Sequence, residues 1–285
     1  MNDIKILVCC HKKAEVPEDV LYLPIHVGAL HSSENLGIQK DCDVNDEKCD
    51  NISNKNNVYC EMTAAYWAWK NIEKTYCDIQ YIGLCHYRRY FDFNWNFFDK
   101  CYTNLKYFYK KCKSFMTNTI YVSEPTKVIE SVDCYKFRDS TKQAKKTIYK
   151  YDVISTYPCR ITNCNTEMFF QVIGRKYIDL LTKIIDEKCP VYGPAYHAQL
   201  ESNKIYAQNM SIMKTDIYKE YCEFVFSVLR IHLEETTKLN ICQDPLRELS
   251  YDRVSGYLAE ILTSTFIRYA NTKYSVGFVG KYFVD

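Results

Sequence analysis

The run from Tyr81 to Asp92 (Tyr-Ile-Gly-Leu-Cys-His-Tyr-Arg-Arg-Tyr-Phe-Asp) passes without a break from apolar residues into a cluster of His, Arg, Tyr and Asp. An apolar run followed by a polar burst is the pattern of a parallel strand buried on both faces that ends in a loop. Ile4–Cys10 repeats it, ending at His11-Lys12-Lys13. In open α/β sheets ligands bind just outside the carboxyl ends of such strands, so both basic clusters fall on the expected ligand edge. The adjacent Arg88 and Arg89 suit a phosphate-bearing ligand, because guanidinium forks match phosphate oxygens in pairs.

The rest of the chain alternates in the same way. Residues 21–27 read as a second strand and 32–57 as a long polar loop. Residues 58–74 carry apolar side chains at helical spacing. After the central strand, 79–85, residues 94–150 are aromatic and lysine-rich; they read as an insertion with helices at 104–115 and 128–145. Strand patterns return at 151–155, 204–213 and 275–284, and helical ones at 168–187, 215–233 and 246–269. Strands alternating with helices predict an α/β fold, a mostly parallel central sheet flanked by helices, with a helical insertion. No repeat or flexible linker divides the chain, so 1–285 is expected to be a single domain: 1–92 as a ligand-binding half, 93–150 as the insertion and 151–285 as a second half.

A net charge of +2 implies no field-driven binding to nucleic acid, so any anion site must come from local placement of charge. Only 8 glycines are present, and no glycine-rich phosphate loop is among them. There is no secretory signal and no run of the ~18 apolar residues that a membrane span needs. The 15 cysteines are therefore expected as reduced thiols in a cytoplasmic protein, one that can touch the inner face of a membrane peripherally. They contain no Cys-x-x-Cys pair, which argues against a structural zinc ion.

Several residues invite a chemical role. His11 and Lys12 sit at the end of the first strand. Asp50, Asn51, Ser53 and Asn56 crowd short polar side chains at a helix N-terminus, where they can bond a base, a ribose or an anion. Trp67 and Trp69 cannot share a helix face, which makes at least one of them core rather than half of a sugar-stacking platform. Asn209 lies in an apolar run, where a buried amide must either satisfy neighbouring loops or face a ligand. Arg253, Gly256 and Glu260 lie close to one helix face. Gly256 permits close backbone approach, and Glu260 is either a general base or the partner of an arginine.

Taken in order, these pieces resemble a family. Cys10-His11-Lys12-Lys13, Leu23–Gly28, Asp50–Asn56, Tyr59–Asn71, Tyr81–Phe91, Asn209-Met210 and Arg253–Glu260 match the capsule and O-antigen type glycosyltransferases catalogued as domain of unknown function 4422. The pieces span nearly the whole chain. The resemblance implies a GT-A-like fold and inverting transfer of a hexosyl residue, galactofuranosyl in characterised members, from a UDP-sugar to a glycan or lipid-linked glycan acceptor. On that reading His11, Lys12, Asp50, Asn51, Ser53, Asn56, His86, Arg88, Arg89 and Asn209 hold the donor. Arg88 and Arg89 meet the negative charge that grows on the departing diphosphate. Many sugar-nucleotide transferases place Asp-x-Asp and a divalent metal where this chain has His86-Tyr87-Arg88. A manganese or magnesium ion held by His86, with Asp92 assisting, is the alternative to the arginines. Asp92 and Glu260 are the candidate bases. Two departures stand out: the loop 41–49 lacks the Thr-Gly the family often shows before Asp50, and 102–150 matches nothing in it. The competing functions are a non-catalytic sugar-nucleotide or glycan-binding module and, on the tyrosines and lysines of 102–150 alone, a nucleic-acid binder.

Overall fold

The computed structural model describes residues 3–42, 49–239 and 253–285. The chain opens with β1 (Ile4–Cys10), β2 (Tyr22–His26) and β3 (Gln39–Lys40), then the short α1 (Asn56–Tyr59) and α2 (Met62–Thr75). β4 (Tyr81–His86) and β5 (Arg89–Asp92) follow. The insertion comprises α3 (Phe97–Thr117), β6 (Val122–Ser123), β7 (Thr126–Ile129) and α4 (Tyr135–Ile148). The second half holds β8 (Val153–Thr156), β9 (Cys159–Ile161), α5 (Asn165–Val172), α6 (Arg175–Lys188) and α7 (Gly193–Glu201). It continues through β10 (Lys204–Ile205), β11 (Ser211–Lys214), α8 (Thr215–Lys238), α9 (Val254–Ala270) and β12 (Val276–Val284).

The main sheet runs β11-β8-β12-β5-β4-β1-β2-β3, with β7 added against β12. It is parallel from β4 through β1 and β2 to β3, the half that ends in the basic clusters. The other half is mixed: β5 pairs antiparallel with β4 and β12, and β11 antiparallel with β4 and β8. The expectation of a mostly parallel sheet thus describes only one half. For β5 the reason is its connection: β4 does not run into a long loop but turns tightly through Tyr87 and Arg88, and a two-residue connection can join only antiparallel strands.

Every residue of β1 is buried, as its apolar run requires. Leu7 and Cys9 join the core under α2, α6, α8 and α9; Ile4, Ile6, Val8 and Cys10 join the opposite core with Tyr90, Phe137 and Ala144 under α4. Trp67 lies in the first core. Trp69 stacks on Phe226 at 5.8 Å under the Lys70 ammonium, so neither ring is free for a sugar.

Two long predicted helices are each broken. The helix expected at 168–187 stops at Gly174, whose φ of 110° no side chain tolerates well. The helix expected at 58–74 is interrupted at Cys60, with φ 50°, where the Asn56 amide donates to the Cys60 carbonyl at 2.7 Å. The strand expected at 204–213 is likewise two short strands around a turn at residues 207–209. α9 begins at Val254; the earlier part of the expected helix, 246–252, lies outside the described residues. Gly256 faces that broken helix, and a β-carbon there would come within 3.1 Å of the Cys60 sulfur. The described cysteines are unpaired. Among the described residues no helix is long and apolar enough to cross a membrane.

Candidate active site

A groove of about 450 Å³ opens at the carboxyl ends of β1 and β4. His11, Asn56, Glu61, Arg88, Arg89 and Arg253 are among its walls, with His86 and Phe283. A second lobe of about 500 Å³ continues past His11 and Asn56 to His26, Gly28 and Ser53.

The basic wall is built by the β4–β5 turn and the end of β12. The Arg88 and Arg89 guanidiniums lie over the Phe283 ring, at 4.6 and 5.6 Å from its centre. Stacking on an aromatic face holds a guanidinium without consuming its in-plane N–H donors. Arg88 donates one of them to the Val284 carbonyl at 3.3 Å. Neither arginine forms an ion pair within the described residues. Arg253, at the start of α9, adds a third guanidinium from across the groove. With burial and Lys12, it lowers the pKa of His11.

The acidic wall comes from the two helix starts. The break at Cys60 turns Glu61 into the groove. There its carboxylate accepts from the Asn209 amide at 2.9 Å and lies 4.0 Å from His86 Nε2. Asn209 is fully buried, and its carbonyl oxygen accepts from Thr263, which in turn meets the Tyr221 hydroxyl. The amide thus satisfies neighbouring elements rather than facing the groove. Gln208 and Asn209 both hold left-handed backbone, φ 66° and 53°. Gln208 is pinned by its carbonyl to His86 at 2.8 Å and by its side chain to Lys281 at 2.5 Å, while Lys281, almost wholly buried, also pairs with Glu124 at 2.8 Å. Glu260 stands behind Glu61. Burial, and then the neighbouring Glu61 charge, push its pKa up to about 7 against the pull of the Gln208 N–H, Lys281 and Arg89. It forms no ion pair with Arg253; the arginine faces the groove instead.

The second lobe rests on a buried carboxylate. Asp41 accepts from the Gly28 and Ala29 N–H groups at 2.7 and 3.1 Å and from the Ser53 hydroxyl at 2.5 Å. Ser53 passes the order on to the Leu30 N–H at 3.1 Å. His26 is buried beside it, and its Nδ1 has no hydrogen-bond partner among the described residues.

Of the residues singled out from sequence, the structure gathers His11, Ser53, Asn56, His86, Arg88 and Arg89 along this groove, with Glu260 just behind it. Lys12 is exposed over the Tyr87 ring. Asp50 accepts from the Tyr66 hydroxyl, and Asn51 is spent on its own turn. Asp92 does not join the site: it is wholly buried, pairs with Lys127 at 2.8 Å and caps the Asn94 N–H. That removes it both as a base and as a partner of His86 for a metal. Among the described residues no group of three or more His, Cys, Asp or Glu converges on a position a metal ion could occupy. The His86 ring nitrogen near Glu61 is already bonded to the Gln208 carbonyl. From sequence, Arg253 stands out only as a candidate partner of Glu260, His26 and Glu61 only as members of the matched segments, and Asp41 not as a site residue at all.

A second cavity, of about 320 Å³, opens beside Tyr206, just before the Gln208 turn in sequence. Trp95, Tyr157, Tyr206 and Phe278 line it, with Lys100, Arg160 and Lys204 at its edge. A β-carbon on Gly280 would strike the Trp95 ring, so the glycine is what lets Trp95 lie flat on β12.

Fold and groove together define a mixed α/β protein with an arginine-rimmed groove beside two half-buried carboxyls, Glu61 and Glu260. The chain belongs to the DUF4422 family, a domain of unknown function that matches residues 5–272. No curated protein sequence matches it. Among solved structures it is similar to the WbbM bifunctional glycosyltransferase in its apo form, with a TM-score of 0.72 at 22% identity. That likeness covers 100% of this chain and 46% of the other, so the chain spans about half the length of that protein.

Proposed function

We propose that this protein is a GT-A-like glycosyltransferase that moves a hexosyl residue from a UDP-sugar to a glycan acceptor in surface polysaccharide synthesis, with inversion. The observation that carries this reading is the set of three guanidiniums, Arg88, Arg89 and Arg253, around one groove at the carboxyl ends of the parallel strands. The fold shared with a glycosyltransferase supports it. The diphosphate lies among the arginines. The nucleoside extends into the second lobe, where the unpartnered His26 nitrogen offers a hydrogen bond. The acceptor sugar enters from the aromatic cavity beyond Gln208. Its hydroxyl oxygen attacks the anomeric carbon, and the hydroxyl proton passes to Glu260 of the carboxyl pair. The bond from the anomeric carbon to the diphosphate oxygen breaks, and the arginines meet the charge left on that oxygen. A galactofuranosyl donor follows from the family resemblance alone.

Arg88→Ala tests the reading. Losing charge-assisted hydrogen bonds to the diphosphate costs about 1.5–3 kcal/mol, so UDP affinity measured by calorimetry should fall tenfold to a hundredfold while the melting temperature holds. Normal affinity and turnover would remove the arginines from the reaction. UDP-sugar binding by the wild type, with neither hydrolysis nor transfer to any acceptor, would reduce the protein to a binding module.

A further inference from the structure

α3 is the longest element of the insertion, and not one of its residues is buried. Twenty-one residues at 1.5 Å each make a rod of about 31 Å. Asn96 and Asp99 close a capping box at its start, and Asn118 ends it in left-handed backbone. Only one side touches the protein. Tyr107 bonds to Asn203 and to the Ile161 carbonyl, and Ser114 bonds to Thr162.

The opposite side is apolar. Phe98, Leu105, Phe108 and Phe115 are 80%, 69%, 65% and 93% exposed, with Tyr109 and Met116 beside them. At 3.6 residues per turn these side chains fall within an arc of about 120°. Lysines border it on both sides: Lys106 and Lys113 along one edge, Lys100 and Lys111 along the other. The only acidic residue of the helix, Asp99, is occupied by its cap and by Lys127. An apolar strip walled by ammonium groups is the profile of a helix lying in the plane of a membrane, its rings among the acyl chains and its lysines at the headgroups. A second copy of the chain fits less well, because face-to-face pairing would set the lysine borders against each other.

We propose that the outer face of α3 docks this protein onto a bilayer carrying anionic lipids. Lys100, Thr103 and Asn104 of the same helix edge the aromatic cavity from its other side, so docking holds that cavity one helix diameter, ~10 Å, from the membrane surface. If the cavity takes the acceptor, as proposed above, the acceptor's lipid tail could remain in the bilayer during transfer; the docking itself does not depend on that reading.

The test is flotation with mixed phosphatidylglycerol–phosphatidylcholine vesicles and with pure phosphatidylcholine vesicles, comparing the wild type, Leu105→Ser/Phe108→Ser and Lys106→Gln/Lys113→Gln. The wild type should float with the mixed vesicles and stay behind with the pure ones. Each lysine is worth about fivefold in partition, so the lysine variant should lose about 25-fold. The apolar variant should lose at least about a hundredfold. All four positions are exposed, and the melting temperature and its rise with UDP should be unchanged. Failure to float, equal flotation with neutral vesicles, or variants that float like the wild type would overturn the proposal. So would a wild type that self-associates through this face without binding lipid. The UDP-induced rise is scored separately, so loss of docking and loss of the donor reading are distinguishable.

Discussion

Replacing Glu260 with glutamine keeps the shape of the side chain and removes its titration. The wild-type carboxyl moves from an ordinary 4.5 to about 7 because it is buried beside Glu61. At 1.36 kcal/mol per pH unit, that difference is worth about 3 kcal/mol. Its folded pKa lies above its unfolded one, so the folded state binds this proton more tightly. The associated stability is fully present below about pH 4.5 and is lost as pH rises through about 7. Glutamine has nothing to lose over that window. Relative to wild type, Glu260→Gln should therefore gain about 3 kcal/mol between about pH 4.5 and about pH 8, near 5 °C in melting temperature for a chain of this length. Calorimetric scans of both proteins across that range give the difference directly. Activity should change in the opposite sense. Transfer by the wild type should rise with pH around a midpoint near 7, as the base loses its proton. The variant should lose that rise and fall by about 10²–10⁴ in rate. Stability curves that stay parallel across the window would refute the burial argument, and an unchanged rate profile would refute the role as base.

Other substitutions separate structural acids from reacting ones. Asp92→Asn leaves the ammonium of Lys127 with Asp99 alone, and should cost about 1–3 kcal/mol in urea unfolding while UDP affinity holds. Reduced UDP affinity would return Asp92 to the site. Gly28 holds φ 70°, and a β-carbon there would come within 2.8 Å of the Asn56 side chain. Gly28→Ala should therefore cost about 1–2 kcal/mol of backbone strain and, by displacing Asn56, weaken UDP binding in a calorimetric titration. Wild-type affinity in that variant would exclude the second lobe from the donor site.

In the parallel half β1 and β4 were legible because they are buried and carry unbroken apolar runs, whereas β3, two half-buried residues, lies inside the expected loop 32–57. The mixed half was not legible. Nothing in Tyr87-Arg88 distinguishes a two-residue turn from the start of a long loop, and that turn reverses the direction of β5. The helix at 58–74 shows the same limit on a smaller scale. Its apolar spacing continues across Cys60, and the break depends on one amide, Asn56, reaching the Cys60 carbonyl. Without that break Glu61 would not face the groove. Among the site residues, Arg88, Arg89 and His11 were visible as clusters at strand ends. Arg253 was visible on the helix face it shares with Glu260 but not as part of the groove, and Asp41 and His26 were not visible as site residues, because the groups they meet lie on distant elements. Asp92 looked reactive beside two arginines; that its side chain packs inward onto Lys127 is set by β7 and β12, far away in sequence.

The Gln208–Asn209 turn ties these parts into one device. Two successive non-glycine residues in left-handed backbone cost of the order of 1 kcal/mol each or more, and persist only where the surroundings over-determine them. The groups that do so here are polar side chains on four other elements. His86 and Lys281 hold Gln208, and Glu61 and Thr263 hold Asn209. The turn is bonded to His86 and Glu61, which line the groove, and follows Tyr206, which lines the aromatic cavity. A displacement reaction needs its base on the acceptor side and its cations on the donor side, close together yet not neutralising one another. Arg88 and Arg89 stay free of carboxylates because Phe283 supports them. Lys281 is instead occupied by Glu124, and Glu260 sits behind Glu61 with its proton poised near neutrality. The hydrogen bonds that hold the turn thus tie His86 and Glu61, on the groove, to Lys281 and Thr263.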